Sequence, residues 1–429
     1  MIELVRKIYA ILNIVYRICI RNRAIVEFVT SRERMLVAMK NGTPDRVPVA
    51  PDMSNMIPCR LTGKPFWDIY LFNDPPLWQA YMDAVDYFKT DGWLYSLEDF
   101  SLQGEDGYDV DSDSHKNRAI VERSPERIVV REFAIDGSGI RRWSTRVTVY
   151  PRRNPPSTLA ASKIGMAEPP QSWQPVDGVK SQPMGYDLLE AAHKRFAGRG
   201  VIGLGAYPAQ LGNPANPGFS IYDYQDHPTE VRRWAEGENE SIVKRLRKIL
   251  QGPVLPDFVL TGGSGMLIFN TPEILRELAL PGLKEITGVC RRANVPSQIH
   301  CCGPERALVA MCAEETELSS INPLEIPPMG DCDLADIKRS FGSKLGLMGN
   351  LHTTDVMLSE DVGVVRLAAL EAIRDAGKDG GFILSTGDQC GRDTPDENIR
   401  ALVEVAEEFG RYPLDFDAIE REIETISRN

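Results

Sequence analysis

The chain has 429 residues, 42% of them hydrophobic and 26% charged, with a formal net charge of −12 at pH 7. That is an ordinary globular composition, large enough to bury a core without disulfide staples, and its acidic balance argues against general nucleic-acid binding. Eight cysteines are scattered with no small-domain framework, and the vicinal pair Cys301–Cys302 suits a reducing, cytoplasmic setting better than a secreted one.

Residues 1–28 mix apolar positions (Ile2, Val5, Ile8, Ile11, Leu12, Val15, Ile18) with Arg6, Lys7, Arg17, Arg21 and Arg23. They predict an amphipathic helical extension over 1–30. Its longest charge-free run, 8–16, is too short to span a bilayer, and no small-residue cleavage site follows, so neither a transmembrane segment nor a secretory signal is expected. The main domain then runs over 31–429. Ser31 is a candidate N-cap of a helix with Met35, Leu36 and Met39 on its apolar stripe. Arg46–Pro51 reads as a first strand ending at Asp52, Phe66–Thr90 as aromatic-rich helix, and Trp93–Leu97 as a second strand.

The pattern changes over 104–183. Gly104–His115 is acidic and loop-like, Arg127–Phe133 and Arg141–Tyr150 alternate β-formers with charges around Asp136-Gly137-Ser138-Gly139, and Pro151–Pro183 is proline-rich. This block is expected to be an insertion carrying an antiparallel hairpin. Afterwards the rhythm is regular. Short apolar strands centred near 203, 259, 298, 320, 347 and 384 alternate with helices over 228–250, from Thr271-Pro272, over 305–313, 333–341 and 362–376, and after Thr394-Pro395-Asp396-Glu397, which reads as a capping box. With the two early strands this makes eight, and the fold class expected is a (β/α)8 TIM barrel. A doubly wound open sheet is the alternative, but the nucleotide-type glycine loop it usually carries is missing.

In such a barrel the site lies at the C-terminal ends of the strands. Asp52, Glu98, Tyr207, His300, Cys302, Glu325, Asn350, Asp388 and Cys390 all fall there. Residues two apart on a strand share a face, so Gln298, His300 and Cys302 point one way and Ile299 and Cys301 the other. Imidazole and thiolate are good zinc donors, and a fourth position left to a weaker ligand marks a catalytic site. The metal set expected is therefore His300, Cys302 and Cys390, with Glu325 as a further carboxylate, and Cys301 packs as a small hydrophobe. A buried histidine is otherwise usually just hydrogen-bonded. Glu325 and Asp388 are the candidate catalytic carboxylates. Asp52, Tyr207, Tyr222 and Asn350 are candidate substrate contacts, although Tyr207, Phe219, Tyr222 and Tyr224 equally suit pinning a long loop. His352 is either an acid/base group or a loop anchor.

Several stretches together resemble the uroporphyrinogen decarboxylase superfamily: Thr271-Pro272-Glu273 through Leu280-Pro281-Gly282-Leu283-Lys284, Val295–His300 with Cys302-Gly303, Gly349-Asn350, and Gly387–Cys390 with Asp393–Asn398. The resemblance implies a (β/α)8 barrel. The decarboxylases of the superfamily carry an arginine-rich signature after the first strand, whereas the corresponding Asp52–Arg60 here has one arginine. The cobalamin-dependent methyltransferase branch carries His-x-Cys after the fifth strand and a cysteine after the eighth, binding zinc, and His300, Cys302 and Cys390 match that pattern, with Glu325 as a carboxylate ligand. That resemblance implies zinc, a corrinoid carried on a separate protein as partner, and a small-molecule methyl donor or acceptor, and it leaves a homodimer open. A divergent metal-free lyase and a non-catalytic corrinoid-binding subunit are the alternatives.

Overall fold

Short buried strands alternating with amphipathic helices build the scaffold that carries the site. The computed structural model describes residues 29–92, 97, 100, 102, 117–212, 218–263, 265–268 and 270–428. The predicted extension over 1–28, most of the strand predicted at 93–97, Glu98, and the acidic loop at 104–115 lie outside the described residues. Ser31–Asn429 forms one compact unit. Among the described residues no helix is long and apolar enough to cross a membrane.

Six parallel strands form the main sheet: β6 (Gly203–Gly205), β7 (Phe258–Thr261), β8 (Ser297–His300), β9 (Ser320–Asn322), β10 (Gly346–Leu351) and β11 (Phe382–Thr386), each paired with the next in sequence order. Every residue of β7 to β11 is buried, as expected where helices cover the outside and side chains fill the inside. The first predicted strand is shorter than its sequence suggests. It joins β11 only around Val49, where Ala50 N–H donates to Leu384 O and Leu384 N–H to Pro48 O. Asp91 N–H donates to Val49 O and Leu97 N–H to Gly203 O, so backbone hydrogen bonds run on from β11 through these two segments to β6. The architecture is the expected TIM-barrel-like α/β fold, with six of its parallel strands formed among the described residues.

Strand alternation separates two layers. Ala50, Val201, Phe258, Leu260, Met348 and Ile383 pack with Met35, Ala38 and Met39 of helix Ser31–Met39, which therefore plugs the barrel at its N-terminal end. Ile299, Ile321, Leu347, Phe382 and Leu384 face the outer helices instead. The helix predicted over Phe66–Thr90 is broken into Phe66–Tyr70 and Leu77–Phe88, because Pro75 and Pro76 interrupt the intrahelical ladder. Helices Met56–Leu61, Gly185–Phe196 and Phe416–Ser427 were not anticipated.

Two of the expected caps differ. Ser31 starts its helix, yet its hydroxyl donates to Asp91 Oδ1 at 2.9 Å. The box at Thr394 does not form: the helix begins at Asp396 with Pro395 at the N-cap and no side-chain cap. Thr271 does cap its helix by accepting from Ile274 N–H at 3.3 Å, with Pro272 next to it.

The insertion is more than a hairpin. β1 (Arg118–Arg123), β2 (Arg127–Ile135), β3 (Arg141–Pro151), β4 (Ser157–Ala160) and β5 (Gln174–Pro175) form an antiparallel sheet in the order β4-β3-β2-β1-β5. One face buries Ile120, Ile128, Val130 and Tyr150 against Trp67 and Leu71, fixing the sheet to the helix at 66–70. The polar stretches hid β4 and β5, which are short and mostly exposed.

Candidate metal centre

His300 ends β8, on the inward face it shares with Gln298, whose amide donates to Met348 Sδ inside the barrel at 3.3 Å. The chain then turns at Gly303, whose φ of +90° favours glycine and where a Cβ would sit 2.7 Å from Ile268. Before the turn, Cys301 is wholly buried in the outer core while Cys302 keeps some exposure. The alternation thus sorts the vicinal cysteines as expected.

Across the mouth, the loop after β11 brings Asp388 to His300, with Nε2 to Oδ1 at 3.9 Å. One ligand atom each of His300, Cys302 and Asp388 lie within 4.8 Å of one another. Thr386 holds this loop: its hydroxyl donates to Asp388 O at 2.7 Å and accepts from Asp52 N–H at 3.0 Å. The strand that precedes Asp52 and the loop that carries Asp388 are therefore tied together.

Three carboxylates share the mouth with one imidazole. Burial raises the Asp52 carboxyl above its usual range, with His300 and the Ser54 N–H opposing and Asp388 adding to the rise. Burial also raises Glu325, against the pull of the Gly303 N–H that it accepts, and again Asp388 adds to the rise. Asn350 is held by a 3.0 Å bond from Nδ2 to Leu324 O.

The other sequence-predicted residues divide. Cys390 is wholly buried outside this cluster; burial pushes its thiol up to about 12, with Asp52 adding to the rise, and it lies beside the hydroxyls of Thr386 and Thr394. The backbone N–H of Cys390 donates to Asp52 O at 2.8 Å. The cluster thus pairs His300 and Cys302 with Asp388, where the sequence paired them with Cys390. Tyr207 stands over Gly205 at the end of β6 and is 42% exposed. Tyr222 is 75% exposed, while Phe219 and Tyr224 pack with Val231 and Ile274; for these last two the loop-pinning reading holds. His352 accepts from Asp355 N–H at 3.0 Å and so anchors its own loop, although its charge also reaches Glu325.

Sequence reasoning missed Glu305. It is fully buried, its Oε2 accepts from Leu324 N–H at 2.7 Å, and its Oε1 has no partner. Reciprocally, Glu325 accepts from Gly303 N–H, so the loops after β8 and β9 hold each other. The Leu308, Val309 and Met311 stripe behind Glu305 gave no sign of this, because an acidic residue at a helix start reads as an exposed first-turn charge. Burial raises the Glu305 carboxyl well above the usual range. The folded state therefore keeps a proton that the unfolded chain gives up, and this contribution is lost as pH rises above the unfolded carboxyl value of about 4.3. Glu305→Gln should flatten that fall, and Glu305→Ala should cost about 1–3 kcal/mol by leaving Leu324 N–H unpaired. Urea unfolding of the two variants between pH 5 and 8 checks both.

The cluster fits a zinc ion. Its donors are an imidazole, a thiol and a carboxylate, each a known zinc ligand type with bonds of about 2.0–2.3 Å. His300 Nδ1 is buried without a hydrogen-bond partner.

Comparison with known proteins agrees with the barrel. Residues 264–409 match the family model for uroporphyrinogen decarboxylase (URO-D). The matched segment carries β8 to β11 and with them His300, Cys302, Glu325, Asn350, Asp388 and Cys390. Over 138 residues the chain is 29% identical to a uroporphyrinogen decarboxylase of Anaeromyxobacter dehalogenans (strain 2CP-C), a match covering 32% of this chain and 37% of that relative. Among solved structures, a methyltransferase from Methanosarcina mazei shares the fold at a TM-score of 0.57 and 15% identity, over 89% of this chain and 99% of that one. A B12-independent methionine synthase from Shewanella sp. W3-18-1 is more distant, with a TM-score of 0.42, 11% identity and coverage of 85% and 97%.

Proposed function

We propose that this protein is a zinc-dependent methyltransferase. It moves a methyl group to or from a corrinoid carried on a partner protein, with a small thiol, a folate or a methylated small molecule at the other end. The observation that carries this reading is the convergence of His300, Cys302 and Asp388 at the barrel mouth. The shared fold with a methyltransferase is compatible with it, and the single arginine in Asp52–Arg60 weighs against porphyrinogen carboxylates as substrate. The seven cysteines among the described residues are all free, which suits a reducing cytoplasmic setting.

His300, Cys302 and Asp388 would hold the ion. Cys390, two residues beyond Asp388, joins only by turning away from Thr386 and Thr394. Zinc bound there supplies Lewis acidity that keeps a coordinated thiol deprotonated at neutral pH. The chain's own residues do the rest. Glu325, whose carboxyl is raised by burial, would hold or release a proton at the mouth. Asn350, fixed to Leu324 O, orients a polar group of the small molecule, and Tyr207 at the rim covers it from water.

Metal analysis of the purified protein tests the first half of the proposal, with near one equivalent of zinc expected. Less than about a tenth of an equivalent, unchanged by His300→Ala, would favour a metal-free lyase instead. Incubation with methylcobalamin and candidate thiols, followed by the cobalt absorbance change, tests the second half. Chelator competition separates the ligand sets: Asp388→Asn should weaken zinc more than Cys390→Ser, each by about 10-fold or more if it is a ligand. The reverse order would make Cys390 the third ligand.

A further inference from the structure

A second cavity is built by residues 60–66, by Arg152 and Arg153 of the insertion, and by the loop after β11. It encloses about 300 Å³, at the small end of the range for small-molecule sites. Five cationic side chains line it, Arg60, Lys64, Arg152, Arg153 and Arg392, against one carboxylate, Asp393. In a chain of net charge −12, this concentration of one sign is local and runs against the whole.

Three segments far apart in sequence make the walls, and hydrogen bonds lock them together. Phe66 N–H donates to Arg152 O at 2.9 Å, joining the loop before the 66–70 helix to the end of β3. Arg392 Nη1 donates to Arg153 O and Asn154 Oδ1, each at 3.1 Å, joining the loop after β11 to the insertion. The cavity is therefore preformed, so little ordering cost attends binding.

The cations are only partly neutralised. Arg60 pairs with Asp396 at 2.6 Å through Nη2, while its Nε is buried with no partner. Lys64 pairs with Asp74 at 2.9 Å. Arg392 pairs with Asp393 at 2.9 Å. Arg152 rests 6.0 Å from the centre of the Trp67 ring and donates to Pro125 O; among the described residues neither it nor Arg153 pairs with a carboxylate. The Arg392 bond, burial aside, holds Asp393 below the usual carboxylate range, and the fields of Arg60 and Arg153 reach the same group. These guanidinium groups thus converge on one spot.

We propose that this cavity binds the phosphate group of a small phosphorylated molecule. Several guanidinium groups and an ammonium around one space match a doubly charged tetrahedral oxyanion better than a single planar carboxylate, which one arginine fork satisfies. The cavity is also larger than a bare phosphate ion, leaving room for the group that carries it. The assignment stands on its own residues and does not depend on the methyl-transfer reading.

Isothermal titration at fixed ionic strength tests it, with inorganic phosphate, glycerol 3-phosphate and succinate as probes, on metal-replete and chelator-treated protein alike. Glycerol 3-phosphate should bind with a dissociation constant below about 1 mM, tighter than phosphate and tighter than succinate. Arg153→Glu, at an exposed side chain, and Arg60→Gln should each weaken it by about tenfold or more, with an unchanged far-ultraviolet spectrum. Arg142→Gln, at the far end of the β2–β3 hairpin, should leave it unchanged. Binding that survives Arg153→Glu and Arg60→Gln would overturn the proposal, as would succinate binding tighter than both phosphates. No binding by any small probe, with only a polyanion such as heparin retained, would overturn it in favour of a surface for an acidic macromolecule. Phosphate binding by a protein that purifies without zinc would count against the methyl-transfer reading alone.

Discussion

Alanine at His300 or Cys302 should leave a folded barrel that no longer retains zinc and has lost methyl transfer by about a thousandfold or more. Both side chains sit at the open end of the barrel, and the strand before them is held by backbone pairing to β7 and β9, so truncation removes a donor without removing a wall. Structural zinc ligands set much of the binding free energy, and deleting one of three protein donors leaves too few to hold the ion against water. Zinc content by mass spectrometry, together with an unchanged thermal midpoint, checks the expectation. A folded His300→Ala protein with full zinc would remove His300 from the centre. At Cys301, one residue away, alanine should keep the metal and instead cost stability, because that side chain is in the core.

The second large effect is expected at the opposite end of the barrel. Asp91→Ala should destabilise the fold by about 3 kcal/mol, because it removes the carboxylate partner of Arg46 and one of the two partners of the buried Arg34, which keeps Asp45. Asp91 is buried and pairs with Arg34 at 2.6 Å and Arg46 at 2.8 Å. It also accepts from Ser31 Oγ and from Val49 N–H, each at 2.9 Å. One carboxylate thereby ties the plugging helix, the first barrel segment and the start of the second together. Asp91→Asn should be milder, since the amide oxygen can still accept from Val49. Chemical denaturation of both variants provides the check, and a loss below about 1 kcal/mol for alanine would show the network to be dispensable.

Much of this fold was legible in the chain because it repeats. Apolar runs such as Val259-Leu260 and Leu347-Met348, each followed by a capped amphipathic stretch, carry their periodicity locally, and a parallel sheet with helices outside is the arrangement that buries such runs on both faces. The early part was harder to read. Val47–Ala50 makes only a brief pairing with β11, and Pro75-Pro76 breaks a helix whose aromatic content reads as continuous. In the insertion, Arg131 is buried yet donates to the carbonyls of Ser144, Met166 and Glu168. An arginine in an alternating strand gives no local sign that such acceptors await it.

For the candidate metal centre the division is sharper. The sequence by itself determined that His300 and Cys302 share a face and that Cys301 does not, because a strand's period of two is a property of the backbone. It also determined that the loop after the last strand meets them, because eight alternating units close on themselves. Only the tertiary structure decided which side chain of that loop arrives. Asp388 and Cys390 are two residues apart, and no strand period applies once the chain leaves β11. The hydroxyl of Thr386, bonded to Asp388 O and to Asp52 N–H, sets the loop's path and leaves Cys390 in the protein interior. The bond from Asp52 to Thr386 joins residues 334 positions apart in the chain, a distance at which packing, and no local rule, chooses the partner.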